Sequence, residues 1–377
     1  MKLICLQKEL NEGIQRASQA ISSKVIEPVY GNIMLEAGNN NMKLVGTSGE
    51  LSIEVIIKVE AIEQEGSITV PSRELGNLIG SLNSGKVEIE SDDVKIINIT
   101  TKGSNYQLNG LSSDQFPSIP KIIGEDIISI GQKTLKGMIK ETGFAIAPPD
   151  EVRAILKGSL FEVQGDSLTV VSADGRRMAK KTAKLLNSPG KNFEVVVPKK
   201  TLNELLKILS DNQEEEVKIY ITDSQIDFQM NDIRVLSSLI QGKFPNYRQV
   251  IPAHCDQSLT INKDSLYKAL RRASYIAQND LESPHLVKFK IHDSQIIVTA
   301  NTQDVGQAYE EIDLPEPAQS LDISFNAKYL LDALSYMECD EITFELSNPV
   351  NPGIIKPVRE KEKEEDYLYV IMPVRLK

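Results

Sequence analysis

The side chains of this 377-residue chain that could do covalent or metal chemistry are few and badly spaced for it. His254, His285 and His292 are its three histidines, and none has a carboxylate or cysteine at triad or metal-ligand spacing, so each reads as a surface or hydrogen-bonded ring. Cys5, Cys255 and Cys339 share no short ligand spacing and read as buried or incidental thiols. Neither G-x-x-x-x-G-K nor G-x-G-x-x-G occurs, so the backbone cradles that hold nucleotide phosphates are not indicated. The stretch ADGRRMA, Ala173 to Ala179, sets an Asp-Gly turn before two arginines and reads as a turn beside a binding surface rather than a catalytic loop. No nucleophile or general base can be named, and no cofactor is expected.

The remaining chemistry is that of cations carried on helices. The chain carries a formal charge of −11, which argues against nucleic acid if the charge is spread evenly. It is not. Six stretches with helical spacing (7–21, 72–83, 132–145, 199–210, 263–277 and 326–337) hold fourteen basic and seven acidic residues, a net +7, which leaves −18 on everything else. Cations confined to helices suit contact with phosphates, while an acidic remainder keeps the protein from coating nucleic acid indiscriminately. The candidates are Arg16 and Arg73 in the first third, and Lys136, Lys140, Lys199, Lys200, Lys207, Lys268, Arg271 and Arg272 in the rest. Helix propensity and solubility also favour lysine on exposed helix faces, so charge alone leaves both readings open. No aromatic stacking platform or base-reading motif accompanies them, so the expected contact is with the backbone of a duplex, without sequence preference.

The elements that carry these cations repeat. In FEVVVPKKTLNELL, Phe193 to Leu206, an alternating strand ends at Pro198 and a helix starts, with Leu202 and Leu205 on one face. The same grammar appears as SITVPSRELGNLIGSL and LDISFNAKYLLDALSYM, placing Pro71, Pro198 and Asn326 at steps of 127 and 128 residues, with Leu75, Leu202 and Leu330 in step. A second helix opens each third, marked by Leu10, Leu135 and Leu266. Between the helices, NIMLEAGNNNMKLVG, SLFEVQGDSLTVVSADG and VKFKIHDSQIIVTAN alternate apolar and polar residues, with Asn-Asn, Gly-Asp and Asp-Ser as turn pairs. Pro117, Pro245 and Pro373 recur at a step of 128. The expected fold is α+β, in three similar domains at 1–121, 127–252 and 254–377, each of two half-units with helices on one face of antiparallel sheets. The charged run Val358 to Tyr367 is expected to be a solvated hairpin tip.

Three units of this size match the usual domain length. Apolar runs reach only strand length, far short of the ~20 residues of a membrane span, and the start MKLICLQKELNEG lacks a signal-peptide pattern, so a cytoplasmic protein is expected.

PVYGNIMLEAGNNNMKLVG, RAILKGSLFEVQGDSLTVVSADGRRMA, KFPNYRQVIP and YVIMPVRL, together with the threefold step, give the chain its resemblance to a family. It resembles the bacterial DNA polymerase III beta subunits, the sliding clamps, along essentially all its residues. The resemblance implies a non-catalytic processivity subunit: a head-to-tail homodimer closing a ring of six similar domains, helices inside around duplex DNA and sheets outside. It implies a peptide pocket shared by the polymerase alpha subunit, the clamp loader and repair proteins, made by Leu156, Gly175, Arg176, Arg177, Met178, Pro245, Val250, Met372, Pro373, Val374 and Arg375. Core packing between adjacent domains is the alternative role for its apolar members. Ala173 and Arg176 stand where the family usually has Thr and His, and Gln249 where some relatives have Arg, which points to a different peptide preference. Tyr106 to Leu108 and the helix end at Tyr275 and Ile276 are implied at the dimer interface. A repeat-built enzyme and a protein scaffold that ignores DNA are the competing classes; retention on circular but not linear DNA separates a clamp from both.

Overall fold

The computed structural model describes residues 1–22, 27–92, 95–122, 127–188, 190–212, 214–278, 283–303, 305–358 and 366–375. Most of the proposed hairpin tip, residues 359–365, lies outside the described residues. Six α-helices occur among them: α1 Gln7–Ser18, α2 Ser72–Ser81, α3 Gln132–Gly143, α4 Lys199–Ile208, α5 Lys263–Ala277 and α6 Ala327–Tyr336. The six leucines that mark the repeat, Leu10, Leu75, Leu135, Leu202, Leu266 and Leu330, are all buried. Each such side chain contributes about 2 kcal/mol by leaving water. Asn262 and Asn326 cap α5 and α6 by accepting from the amides of Ser265 (2.9 Å) and Tyr329 (3.3 Å). Pro71 and Pro198 instead close strands and hand the chain directly to α2 and α4.

The chain gathers into two compact units, Met1–Lys133 with Lys200–Leu239, and Thr134–Lys199 with Ile240–Lys377. In the first, an eight-stranded antiparallel sheet runs 127–131, 216–221, 225–230, 233–238, 51–58, 41–47, 32–38, 66–71. Strand 233–238 of the central third pairs with 51–58 of the first, Val235 opposite Ile53, so one ladder joins segments distant in sequence. A five-stranded sheet, 61–64, 2–6, 86–91, 96–101, 104–109, completes this unit. The expected Asn-Asn turn is present: Asn39 and Asn40 have φ of 48° and 60°, the left-handed pair that matches strand twist in a two-residue hairpin. Helix α1 lies so close to strand 41–47 that a Cβ on Gly46 would stand 2.1 Å from the Ala17 carbonyl oxygen.

The second unit repeats the plan. Its eight-stranded sheet runs 193–198, 158–164, 167–173, 177–184, 366–371, 353–357, 341–346, 257–262. The long strands 286–302 and 306–326 pair beneath α5. At the position of the expected Asp-Ser turn their register breaks, and Asp293 takes φ 50°. Phe289, Phe325 and Phe344 meet with centroids 5.5 to 6.3 Å apart at the centre of the core. The two units share a detail: the Ser238 amide donates to the Glu50 carbonyl at 2.8 Å, and the Met372 amide to the Arg176 carbonyl at 2.9 Å. That second bond ties the end of the chain to the Asp-Gly-Arg-Arg turn.

Candidate functional site

Around that tie, within the second unit, lies a cavity of about 270 Å³. Three segments supply its walls: the turn at 173–178, the segment 244–250, and the end of the last strand at Val370 and Met372, with Arg153 and Leu156 closing one side. The floor belongs to a small core in which Leu156, Met178, Phe244, Tyr247 and Val370 are buried. The mouth is exposed apolar surface, with Val250 46% and Met372 40% accessible. Exposed apolar groups beside an apolar cavity are what a hydrophobic side chain of a ligand would cover.

Eight expected residues converge here: Leu156, Gly175, Arg176, Arg177, Met178, Pro245, Val250 and Met372. Pro373 is not among the lining residues, and Val374 and Arg375 line a neighbouring cavity. Arg153, Phe244, Asn246, Tyr247 and Val370 belong to the lining and were not anticipated. The signal for Phe244 and Tyr247 was present, since they flank Pro245 in KFPNYRQVIP as bulky apolar residues.

Charge holds the walls. Asp174 accepts from the backbone amides of Arg176 and Arg177 at 2.9 and 3.0 Å, which closes the turn and leaves Gly175 at φ 86°. The Arg177 guanidinium is 9% accessible and commits its donors to Asp174 (3.0 Å), Asp332 (2.7 Å) and the Phe144 carbonyl (3.0 Å), while lying 4.3 Å from the Tyr329 ring centre. Arg177 is therefore a strut between the turn and α6, and its charge is already spent. Arg176 is exposed and has no side-chain partner among the described residues, which leaves its charge available at the mouth. Arg153 binds Glu151 at 2.8 Å, and this hydrogen bond, joined by one from the Arg153 amide, holds the Glu151 carboxyl down to about 2.

The opposite wall rests on a buried carboxylate. Glu162, 2% accessible on strand 158–164, accepts from the Tyr247 hydroxyl at 2.6 Å and from Arg248 at 2.7 and 2.8 Å. Burial pushes its carboxyl up, but the hydrogen bonds from Arg248 and Tyr247 outweigh that and hold it below the usual carboxylate value. Tyr247–Val250 is a single 3₁₀ turn, so this clamp fixes where Pro245 and Val250 point.

The candidate phosphate-facing cations are less free than their count suggests. Lys140 pairs with Glu338 (3.3 Å), Lys207 with Glu204 (2.8 Å), Lys268 with Asp264 (2.6 Å) and Arg272 with Glu310 (2.7 Å). Lys200 donates to the Ala20 carbonyl and Ser48 hydroxyl at 3.3 Å, and the nearby Tyr275 hydroxyl favours the charged form of Arg271. Lys136 is half-buried and also has a partner, and Lys199 is half-buried. Arg16 and Arg73 are exposed. Exposed pairs are worth about 0–1 kcal/mol, so these carboxylates weaken the cationic faces without locking them.

Strand 104–109 is an edge of its sheet, with Tyr106 36% accessible and Leu108 half-buried. Tyr275, on α5, is 54% accessible, while Ile276 packs partly against the core of its own unit. No helix among the described residues is long and apolar enough to cross a membrane.

Models of the DNA polymerase III beta subunit match in succession: its N-terminal domain over residues 1–120, central domain over 129–246 and C-terminal domain over 248–375. The beta sliding clamp of Bacillus subtilis strain 168 is 31% identical over 384 residues, covering 100% of both chains. That of Staphylococcus aureus strain Mu50 is 29% identical over 365 residues, 95% of this chain and 94% of that one. The crystal structure of the Bacillus subtilis DNA polymerase sliding clamp covers 100% of both chains with a TM-score of 0.94 at 30% identity. A Pseudomonas aeruginosa sliding clamp bound to griselimycin covers 100% of both with 0.93 at 26%. With its α+β thirds, its six helices among the described residues and this match end to end, the chain belongs to the DNA polymerase III beta-subunit family and has the three-domain fold of the bacterial sliding clamps.

Proposed function

We propose that two copies of the chain close head to tail into a ring around duplex DNA and tether the replicative polymerase by a peptide seated in the cavity of the second unit. The observation that carries the tethering role is the cavity itself: an apolar floor, a mouth of exposed Val250 and Met372, and Arg176 with no side-chain partner among the described residues. An apolar anchor enclosed by a polar rim is the arrangement in which a few peptide residues supply most of the binding energy. The clamp loader and repair proteins would share this site. Ring closure is supported by the open edge at 104–109 and by exposed Tyr275, since a heterologous contact needs two different surfaces and an edge strand needs a partner or cover. The three domains are assigned to 1–121, 127–252 and 254–377, the protein acts in the cytoplasm, and no catalytic step is assigned to it.

DNA contact in this reading is loose. Four of the ten candidate cations already face carboxylates, so the helices offer phosphates a diffuse field rather than a tight site, and retention comes from topology. The test of tethering uses fluorescein-labelled ten-residue peptides tiling the polymerase alpha subunit, read by anisotropy. One peptide should bind, and Val250→Asp and Arg176→Ala should each weaken it tenfold or more with an unchanged melting curve. Binding that survives both substitutions would end the assignment of this cavity.

A further inference from the structure

Two thioethers line the cavity, and they stand at different depths. Met178, on strand 177–184, is 2% accessible in the floor, whereas Met372, next after the last strand 366–371, is 40% accessible at the mouth. The bond from the Met372 amide to the Arg176 carbonyl fixes the backbone there, so an exposed side chain stands on a set frame. The chain has eight methionines, all within the described residues. Six are 0 to 4% accessible, and Met34 is half-buried against the small core of Val29, Val45 and Phe116. Met372 is therefore the one exposed thioether of the eight.

Exposure decides where a peroxide acts on methionine, because a thioether needs no ionisation to react. Sδ attacks one peroxide oxygen, the S–O bond forms as the O–O bond breaks, and the departing hydroxide takes the proton of the transferred oxygen and leaves as water. Sulfur gives up two electrons, and the product is the sulfoxide. The thiols are poorer targets, since the thiolate is the reactive form. Burial, with the Glu60 charge added, pushes the Cys5 thiol up to about 12, and burial also raises that of Cys255. Cys339 is half-buried against the core of the second unit.

We propose that Met372 is a modification site: a peroxide oxidises it to the sulfoxide, partner segments then leave the cavity, and reduction of the sulfoxide restores docking. The assignment rests on the peptide reading of that cavity. The sulfoxide replaces a flexible apolar contact by a strong dipole whose oxygen is a hydrogen-bond acceptor. A hydrophobic peptide side chain covers that oxygen without offering a donor, which costs roughly tenfold or more in affinity. Met178 stays reduced in the floor, so the fold and the shape of the cavity are kept. A seated peptide covers Met372, so protein holding a partner is shielded and empty protein is the form that reacts. Reversal takes a dithiol-dependent sulfoxide reductase, in which two thiols become a disulfide and the oxygen leaves as water.

The test treats the full-length protein with hydrogen peroxide, stops the reaction with catalase, reduces any oxidised thiols with dithiothreitol and maps oxygen addition by peptide mass spectrometry. Met372 should be the first methionine modified, with the melting curve unchanged. The alpha-subunit peptide selected above, added afterwards, should bind roughly tenfold or more weakly by anisotropy. Excess peptide present during treatment should slow oxidation of Met372 severalfold, and methionine sulfoxide reductases for both sulfoxide epimers should restore binding. Met372→Leu, whatever its starting affinity, should bind equally before and after treatment. Oxidation that reaches another methionine first, an oxidised protein that binds as well as the untreated one, or an equal loss in Met372→Leu overturns the Met372 assignment and leaves the peptide site standing. If no peptide binds the untreated protein, the reading of the cavity fails, and the assignment of Met372 falls with it.

Discussion

Removal of the Glu162 carboxylate should loosen one wall of the cavity and cost stability that can be apportioned from its partners. Glu162→Ala leaves the Tyr247 hydroxyl buried without its acceptor and frees Arg248, whose side chain is 51% accessible and can turn to water. The buried hydroxyl costs about 1–3 kcal/mol and the vacated volume adds to it, so a loss of about 3 kcal/mol is expected rather than the larger figure for a fully enclosed ion pair. For a unit of this size that lowers the melting temperature by roughly 6–12 °C. Glu162→Gln keeps the shape and an acceptor for Tyr247, and should cost about 1 kcal/mol. Because the native carboxyl lies below its ordinary value, its contribution is present above the unfolded carboxylate pKa of about 4.3 and is lost as pH falls through the depressed native value. The wild-type advantage over Glu162→Gln in urea unfolding should therefore shrink on acidification below about pH 4. Peptide affinity should fall with the melting temperature, because the 3₁₀ turn that aims Val250 is no longer fixed. A Glu162→Ala protein that melts within a degree of wild type and binds peptide equally well would refute the clamp.

Gly46→Ala should prevent normal packing of α1, since the added methyl meets backbone at 2.1 Å; a loss of at least ~3 kcal/mol by denaturant titration is expected, and a neutral result would contradict the close approach. Replacing Leu108 and Ile276 together by Glu should give folded monomers by sedimentation. Ile276 packs partly in its own core, so Leu108→Glu alone, which should also weaken the dimer, separates interface loss from misfolding.

What could be read from the residues follows the range of the interactions. The helices were legible because Leu10, Leu75 and their counterparts repeat at constant steps, and the Asn39-Asn40 hairpin because its chemistry is local. Lys268 with Asp264 and Lys207 with Glu204 stand four and three residues apart on one helix, and their pairing could have been read from spacing. Glu162 with Arg248, 86 residues apart, and Lys140 with Glu338, 198 apart, could not, because they depend on which strands and helices become neighbours. The same limit explains the end of the chain. Met372 through Arg375 form one short motif, yet the backbone tie at Met372 divides them between two cavities. The ladder that joins 233–238 to 51–58 was equally invisible, since each strand reads as apolar alternation whatever its partner.

In the proposed ring, DNA is held by enclosure and not by affinity. Protein loaded on a nicked circular duplex and separated by gel filtration should remain with the circle in 0.5 M salt and leave once the circle is cut. Neutralising Lys136, Lys140, Lys199, Arg271 and Arg272 together should impair loading or retention without dissociating the dimer. Tight binding of unloaded protein to short linear duplex, with a steep salt slope, or retention on the cut circle, would contradict the account.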